Sequence, residues 1–357
     1  MGLATPKVGV RAKAGYARAM SSSRQHQCPV GYGAAKTATR GNIGHRFPRR
    51  ARTHLQPIKA VAPCLQDVTA SENRGRTTFT DNQVLLAIPL LTESVHDTLR
   101  AALRTGATMV KCSLDLERTR TTVAVSAAGW AWQGRQYPYL ETCKARTIYY
   151  WTGDGFAPVA RFTNALIKLV PTEWGPPTFE IDGIKMLPTA QVSPYADAGR
   201  KVGLIEPRGK VVLDTCGGLG YFAAWCLQGG AQQVLSYENN PDVIWLRSLN
   251  PWSPPTDPRL TLTQGDIAVE ITRLPDASVA AILHDPPRFG IAGELYSQAF
   301  YDQLARVLKH RGKLFHYTGT PNKLTSGRDV PVEVAKRLQR AGFTVAPNGD
   351  GLLAVKR

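Results

Sequence analysis

The stretch Val211-Val-Leu-Asp-Thr-Cys-Gly-Gly-Leu-Gly-Tyr-Phe-Ala-Ala-Trp-Cys-Leu227 settles how the C-terminal half is read. Three apolar residues closing on Asp214 read as a buried strand. The small-residue loop Thr215-Cys-Gly-Gly-Leu-Gly220 follows, and 221–227 reads as a helix. Small residues let a backbone turn tightly and come close to a ligand. The helix behind them offers free N–H groups at its N-terminus. Gly218, Gly220 and Ala223 also satisfy the G-x-G-x-x-A dinucleotide fingerprint. A tight turn with no ligand satisfies the same pattern.

Working outward from the loop narrows the choice. The next strand, 234–237, closes on Glu238, eighteen residues past Gly220, where a carboxylate can accept both hydroxyls of a ribose. That geometry suits NAD and S-adenosylmethionine alike. Gly265-Asp266 after the third strand separates them, because methyltransferases commonly face the adenine amino group with a carboxylate there. Two carboxylates without a basic pyrophosphate partner suit a cationic sulfonium nucleoside. The expected cofactor is therefore S-adenosyl-L-methionine, held by Asp214, Cys216, Gly218, Gly220, Glu238 and Asp266. Cys216 stands where the methyltransferase pattern D/E-x-G-x-G-x-G has its first glycine.

From Pro194 onward, helices and strands alternate. Helices are expected at 196–205, 221–227, 242–249, 297–308 and 330–341. Strands are expected at 211–213, 234–237, 260–263, 279–284 and 313–317. Such alternation implies a parallel sheet with right-handed crossovers. Two close strands, 343–345 and 352–355, flank the turn Asn348-Gly-Asp-Gly351 and put one antiparallel strand at the end. The expected fold is α/β, a class I methyltransferase Rossmann-like sheet over 193–357. A small β-rich α+β domain over 75–190 precedes it.

The fourth strand runs into His284-Asp-Pro-Pro-Arg-Phe289. Open α/β sheets bind ligands at the carboxyl ends of their strands, so this segment should lie against the donor. It resembles the D/N-P-P-Y/F motif of amino-group methyltransferases. In that motif the Asp side chain and the first Pro carbonyl accept hydrogen bonds from a planar amine, and its lone pair is aimed at the methyl carbon. Asp285, Pro286 and Arg288 are the candidate catalytic residues. Here Arg288 occupies the aromatic place and Phe289 follows it, so an anionic group of the substrate is an alternative to base stacking.

Several longer stretches carry a family resemblance. They include Phe179-Glu-Ile-Asp-Gly-Ile-Lys-Met186, Leu249-Asn-Pro-Trp-Ser253, Ala292-Gly-Glu-Leu-Tyr-Ser297 and Leu314-Phe-His-Tyr-Thr-Gly319, beside the two motifs above. Together they resemble the predicted archaeal-type methyltransferases, a family with relatives in bacteria, algae and plants, from roughly residue 110 to the end. The resemblance implies a class I fold and S-adenosylmethionine, and it leaves the acceptor open. Within that frame Glu294 and His316 are candidate bases. Phe289, Tyr296, Tyr301 and Tyr317 are candidate pocket residues. Trp252 either covers the adenine or packs.

The remaining sequence bounds the function. The chain of 357 residues carries a formal charge of +17, which suggests nucleic acid until its distribution is considered. No acidic residue precedes Asp67, and twelve of the 44 basic residues do. What remains is 32 basic against 27 acidic. Residues 1–62, rich in Ala, Gly, Ser, Thr and Arg, therefore read as a disordered organellar transit peptide, with the import machinery as partner. A chloroplast address is expected, with the mitochondrion as alternative and a basic nucleic-acid arm as the competing reading. The mildly basic remainder does not support nucleic-acid binding, and no apolar run is long enough to span a membrane.

Six scattered cysteines without a C-x-x-C pair argue against structural zinc or a disulfide framework. Residues 94–105 read as a helix, and short alternating strands follow to about 187, with a hairpin turn at Asp182-Gly183. Their aromatics, Trp130, Trp132, Tyr137, Tyr139, Tyr149, Tyr150 and Trp151, either stack on bases or form core. The leading function is methylation of an amino nitrogen on a small molecule, RNA or protein. Aminopropyl transfer, a non-catalytic donor-binding protein and a dehydrogenase compete with it.

Overall fold

The computed structural model describes residues 88–319 and 329–357. The expected transit segment, 1–62, and the start of the expected β-rich region lie outside the described residues. All described residues fall in one contact unit, Thr80–Arg357. Its first part is built from short strands and one helix: β1 (Leu90–Leu91), α1 (Glu93–Arg104), β2 (Met109–Cys112), β3 (Thr121–Ser126), β4 (Gly129–Trp132), β5 (Arg135–Tyr137), β6 (Tyr149–Trp151), β7 (Phe156–Pro158), β8 (Ala160–Phe162), β9 (Leu166–Val170), β10 (Thr178–Ile181) and β11 (Ile184–Lys185). They form three small antiparallel sheets, β2-β3-β4-β5, β1-β6-β7 and β11-β10-β9-β8.

Helix α1 begins where Thr92 accepts the Val95 N–H and buries Val95, Leu99 and Ala102. Trp130, fully buried, stacks on Tyr137 with ring centroids 4.5 Å apart. The Trp130–Tyr137 stack, with Phe156 and Trp151 beside it, is core, so these aromatics are not a base-stacking platform.

The second part continues as α2 (Pro194–Ile205), β12 (Val211–Asp214), α3 (Tyr221–Gln228), β13 (Gln233–Glu238), α4 (Pro241–Leu249), β14 (Leu260–Gln264), α5 (Ile267–Glu270), β15 (Val279–His284), α6 (Gln298–Val307), β16 (Leu308–Tyr317), α7 (Val330–Arg340), β17 (Phe343–Asn348) and β18 (Gly351–Lys356). Seven strands form one sheet in the order β14-β13-β12-β15-β16-β18-β17. β12 pairs in parallel with both β13 and β15, and only β18 runs against its neighbours β16 and β17. This is the class I methyltransferase sheet, with the terminal hairpin strand as its antiparallel member. Strand order reverses between β12 and β15, where sequential winding changes direction.

β16 starts at Leu308, five residues earlier than the apolar run 313–317 suggests. An irregular register at Val279/Ala281 lets Leu308 pair with Val279 directly after α6.

The core crosses the junction of the two parts. One buried cluster joins Leu116, Ile148, Val159, Ile167 and Leu169 of the β-rich part to Val202, Ile205, Val212 and Phe222. Trp252 serves the same junction. Its indole N–H donates to the Leu116 carbonyl (2.9 Å) and its ring lies 5.3 Å from Tyr195. It is absent from the lining of the large cavity described below, so packing rather than covering an adenine is its place.

Leu169, 1% exposed, tests the shared core. Leu169→Ala should cost about 3 kcal/mol, read by urea unfolding. Far-UV circular dichroism and tryptophan fluorescence should report one coincident transition. Two separated transitions would show that the parts unfold independently.

Candidate active site

The Gly-rich loop is shaped by what lies behind it as much as by what lies in front. Arg247 of α4 is buried beneath the loop, and its guanidinium donates to the Ser236 hydroxyl, which in turn donates to Asp214 Oδ2 (2.8 Å). A Cβ on Gly217 would stand 2.5 Å from Ser236 Oγ. One on Gly220, whose φ is +80°, would stand 2.6 Å from the Arg247 guanidinium. Gly217 and Gly220 are thus required by close inward packing. Gly218 has φ +48° and faces the other way, with only the Phe179 ring within 4 Å of a Cβ.

In front of the loop, a cavity of about 710 Å³ opens at the carboxyl ends of the central strands. Glu238 lines it with a fixed carboxylate. Oε2 accepts the Gly218 N–H and Oε1 the Asn240 N–H, both at 2.9 Å. Burial raises its pKa, and those N–H groups oppose the rise. A carboxylate has about four acceptor sites, so two N–H bonds leave capacity for a ligand. Asp266 also lines the cavity, and its Oδ1 accepts the Ala268 N–H as the cap of α5.

Of the expected donor residues, the structure brings Cys216, Gly218, Glu238 and Asp266 to this cavity and leaves Asp214 and Gly220 behind the loop. Asp214 is 1% exposed, and burial pushes its carboxyl up to about 6. It organises the loop from within and does not face a ligand.

The loop that follows β15 meets the same cavity. Asp285, Pro286, Arg288, Glu294 and Tyr317 line it; Phe289, Tyr296, Tyr301 and His316 do not. Tyr296 is buried and its hydroxyl donates to the Pro287 carbonyl (3.0 Å), while the Phe289 ring packs against it at 5.5 Å. Both therefore brace the loop from behind.

His316 and Tyr301 are fully buried, which corrects the expectation that they border the acceptor. A carbonyl only accepts, so His316 carries its proton on Nδ1 toward the Tyr317 carbonyl (2.8 Å). Its Nε2 accepts the Tyr301 hydroxyl at 3.0 Å. His284 likewise donates from Nε2 to the Leu295 carbonyl (3.1 Å) and accepts the Thr215 hydroxyl on Nδ1 (2.7 Å). The two imidazoles stand 4.5 Å apart at nearly right angles. Both ring nitrogens of each are committed, so His316 is not positioned as a base.

Sequence reading missed the group nearest Asp285. Lys201 of α2 has a side chain only 2% exposed. Its ammonium lies 2.8 Å from Asp197, 3.6 Å from Asp285 and 3.6 Å from Asp350, and 4.2 Å from the Tyr317 ring centroid. Arg200 joins the group through Asp197 (3.0 Å) and Asp350 (2.6 Å). Asp350 comes from the hairpin turn between β17 and β18. A signal was present in the sequence: Asp197 and Lys201 fall on the same helical face as Ala198, Val202 and Ile205, so two charges interrupt a buried stripe. The cavity wall at Lys185, Met186, Leu187 and Thr189 was likewise not anticipated.

With this geometry in place, the chain can be compared with known proteins. It is 40% identical over 214 residues to the uncharacterized protein MJ1233 of Methanocaldococcus jannaschii, covering 58% of this chain and 73% of that one. The chain belongs to the family of that archaeal protein. No family profile matches it. Among solved structures, a spermidine synthase in complex with the transition-state analogue AdoDATO is 18% identical with a TM-score of 0.46, over 56% of this chain and 73% of that one. A TehB-like SAM-dependent methyltransferase from Corynebacterium glutamicum is 18% identical with a TM-score of 0.34, over 44% and 84%. Neither likeness is close enough to assign an activity.

The buried imidazoles generate a pH prediction. Burial lowers His316 from 6.5 to about 4, so the unfolded chain takes up its proton first as pH falls. The His316 contribution is complete above about pH 6.5 and is lost as pH falls toward 4. The share from His316 amounts to about 2 kcal/mol by pH 5. Denaturant unfolding of wild type and His316→Gln at pH 7 and pH 5 should differ by that share, because the other titrating groups, Asp214 among them, are common to both. An unchanged pH slope in the variant would refute the assignment.

Proposed function

We propose that this protein transfers the methyl group of S-adenosylmethionine to an amino nitrogen held by Asp285-Pro286-Pro287-Arg288. One observation carries the reading: Asp285 and Pro286 line the same cavity as Gly218, Glu238 and Asp266, at the point where the strand order reverses. The residues present fit the donor. Gly218 leaves open space above its Cα, and Glu238 presents a carboxylate already fixed by two N–H groups. The lining contributed by the Gly-rich loop and by the ends of β13 and β14 contains no Lys or Arg, which suits a sulfonium nucleoside and disfavours a pyrophosphate.

In this reading Glu238 accepts the ribose hydroxyls and Asp266 faces the adenine amino group. Bound there, S-adenosylmethionine would supply an electrophilic methyl group, with sulfur as the leaving group that keeps the bonding pair. The chain supplies position. An Asp285 oxygen and the Pro286 carbonyl each accept one N–H of the acceptor, and this aims the nitrogen lone pair. The nitrogen becomes positive as it is methylated, and the adjacent carboxylates stabilise that charge. Its proton then passes to a carboxylate, with Glu294 on the cavity wall as the candidate acceptor.

A second reading, aminopropyl transfer, has one observation in its favour: three carboxylates, Asp197, Asp285 and Asp350, gather at the acceptor end. The Lys201 ammonium already occupies their midst, which disfavours a polycationic acceptor.

Calorimetric titration with S-adenosylmethionine, decarboxylated S-adenosylmethionine and NAD should select the first. Preference for NAD would overturn the reading, and preference for the decarboxylated donor would move it to aminopropyl transfer. Glu238→Ala should weaken donor binding about 10- to 100-fold. Asp285→Ala should leave it within about threefold while lowering radiolabelled methyl transfer into cell extract by at least about 100-fold. Fractionating that extract into RNA, protein and metabolites assigns the acceptor class. Transfer that survives in Asp285→Ala would remove Asp285 from the chemistry.

A further inference from the structure

We propose that Lys201 is a positioning residue for the methyl-accepting amine: its buried ammonium anchors the Asp285 carboxylate by one oxygen and leaves the other to meet the acceptor. This rests on the reading above that Asp285 receives that amine.

The geometry is that of a shared ion. Asp285 Oδ2 faces the lysine at 3.6 Å, and among the described residues Lys201 is the one cation within 4 Å of Asp285. Arg200, the other cation of the cluster, reaches Asp197 and Asp350 instead. Of the titratable groups around Asp285, Asp197 on α2, Asp350 in the β17–β18 turn and Asp214 at the end of β12 oppose its charge, while the Cys216 thiol and the Tyr317 phenol are neutral. Burial is the largest influence and raises its pKa; Lys201 opposes that, and Asp197 and Asp350 add to it. Removing the lysine would leave three carboxylates with one guanidinium, and Asp285 would take up a proton. A protonated Asp285 donates a hydrogen bond where the amine requires an acceptor.

Lys201 is not itself a base. Burial alone would drive its proton off, but Asp285, Asp197 and Asp350 together overrule burial and hold the ammonium charged. Nor is it needed merely to bolt α2 to the C-terminal turn, because Arg200 already joins Asp197 to Asp350. The compact ammonium suits the place. It serves three carboxylates and lies against the Tyr317 face (4.2 Å), with the Phe222 ring at 6.0 Å.

The test reads Asp285 directly and needs no acceptor. The full chain is labelled with carboxyl-¹³C aspartate, and the Asp285 resonance is assigned by its loss in Asp285→Asn. Titration then follows in wild type, Lys201→Met and Lys201→Arg, with S-adenosylhomocysteine calorimetry as the measure of an intact donor pocket. The Asp285 midpoint should rise by about two units in Lys201→Met and by less than half of that in Lys201→Arg. Asp350→Asn provides an opposite-sign control that keeps Lys201 in place, and the midpoint should fall. A midpoint unchanged in Lys201→Met, or unmoved in Asp350→Asn should Lys201→Met fail to fold, overturns the proposal. Failure of wild type to bind S-adenosylhomocysteine would sink the methyltransferase reading instead, and the titration would still decide the role of Lys201.

Discussion

The parallel pairing of β12 with β15 is the constraint on which the rest of this molecule depends. Val212 pairs with Ala281, Leu213 with Ile282 and Asp214 with Leu283, so both strands end at the same height. From β12 the chain winds outward to β13 and β14; from β15 it winds the other way to β16. Helices and loops leaving the two strands therefore part company, and a cleft opens between them. Gly218, Glu238 and Asp266 follow β12, β13 and β14, and Asp285-Pro286 follows β15. Their meeting in one cavity is a consequence of sheet order and not of nearness in sequence.

That cleft is supported by two buried polar systems of different character. Beneath the Gly-rich loop, Arg247, Ser236 and Asp214 form a connected set that makes glycine obligatory at 217 and 220 by sheer proximity. Beneath the loop that follows β15, Thr215 is hydrogen-bonded to His284 and Tyr301 to His316, the two imidazoles pack edge to face, and burial keeps both neutral. Thr215 ties the second system to the loop of the first. Buried networks of this kind favour one arrangement, since any displaced member leaves a polar group without a partner. Both loops are thereby held in place before a ligand arrives, which is what catalysis by positioning requires.

The end of the cavity at Asp285 shows the opposite economy of charge. Three carboxylates and two cations from α2, the loop after β15 and the C-terminal turn converge there, and the cluster joins the last hairpin of the chain to Asp285. The terminal turn is therefore part of the site's electrostatics as well as the end of the sheet. The β-rich part contributes in a third way: it shares an apolar core with α2 and α3, and its β11 region supplies one cavity wall.

The sequence by itself determined the parallel sheet and its antiparallel end, because alternating elements and a tight terminal turn leave few ways to wind. It also placed Gly218, Glu238, Asp266 and Asp285-Pro286 at strand ends, and the structure has all of them on one cavity. It did not separate residues that face the cavity from those one layer behind. Asp214, Gly220, Tyr296, Tyr301 and His316 lie within a few residues of the site along the chain, yet their side chains turn inward. A strand or loop position sets where a residue is, and only packing against Arg247, Pro287 or a second imidazole sets which way it points. The sequence shows a charge at Lys201 on a buried helical stripe, but its meeting with Asp285 and Asp350 was decided by tertiary structure. Lys201 and Asp350 lie 84 residues before and 65 after Asp285 in the sequence, and only folding the sheet brings their charges within ion-pair distance of one another.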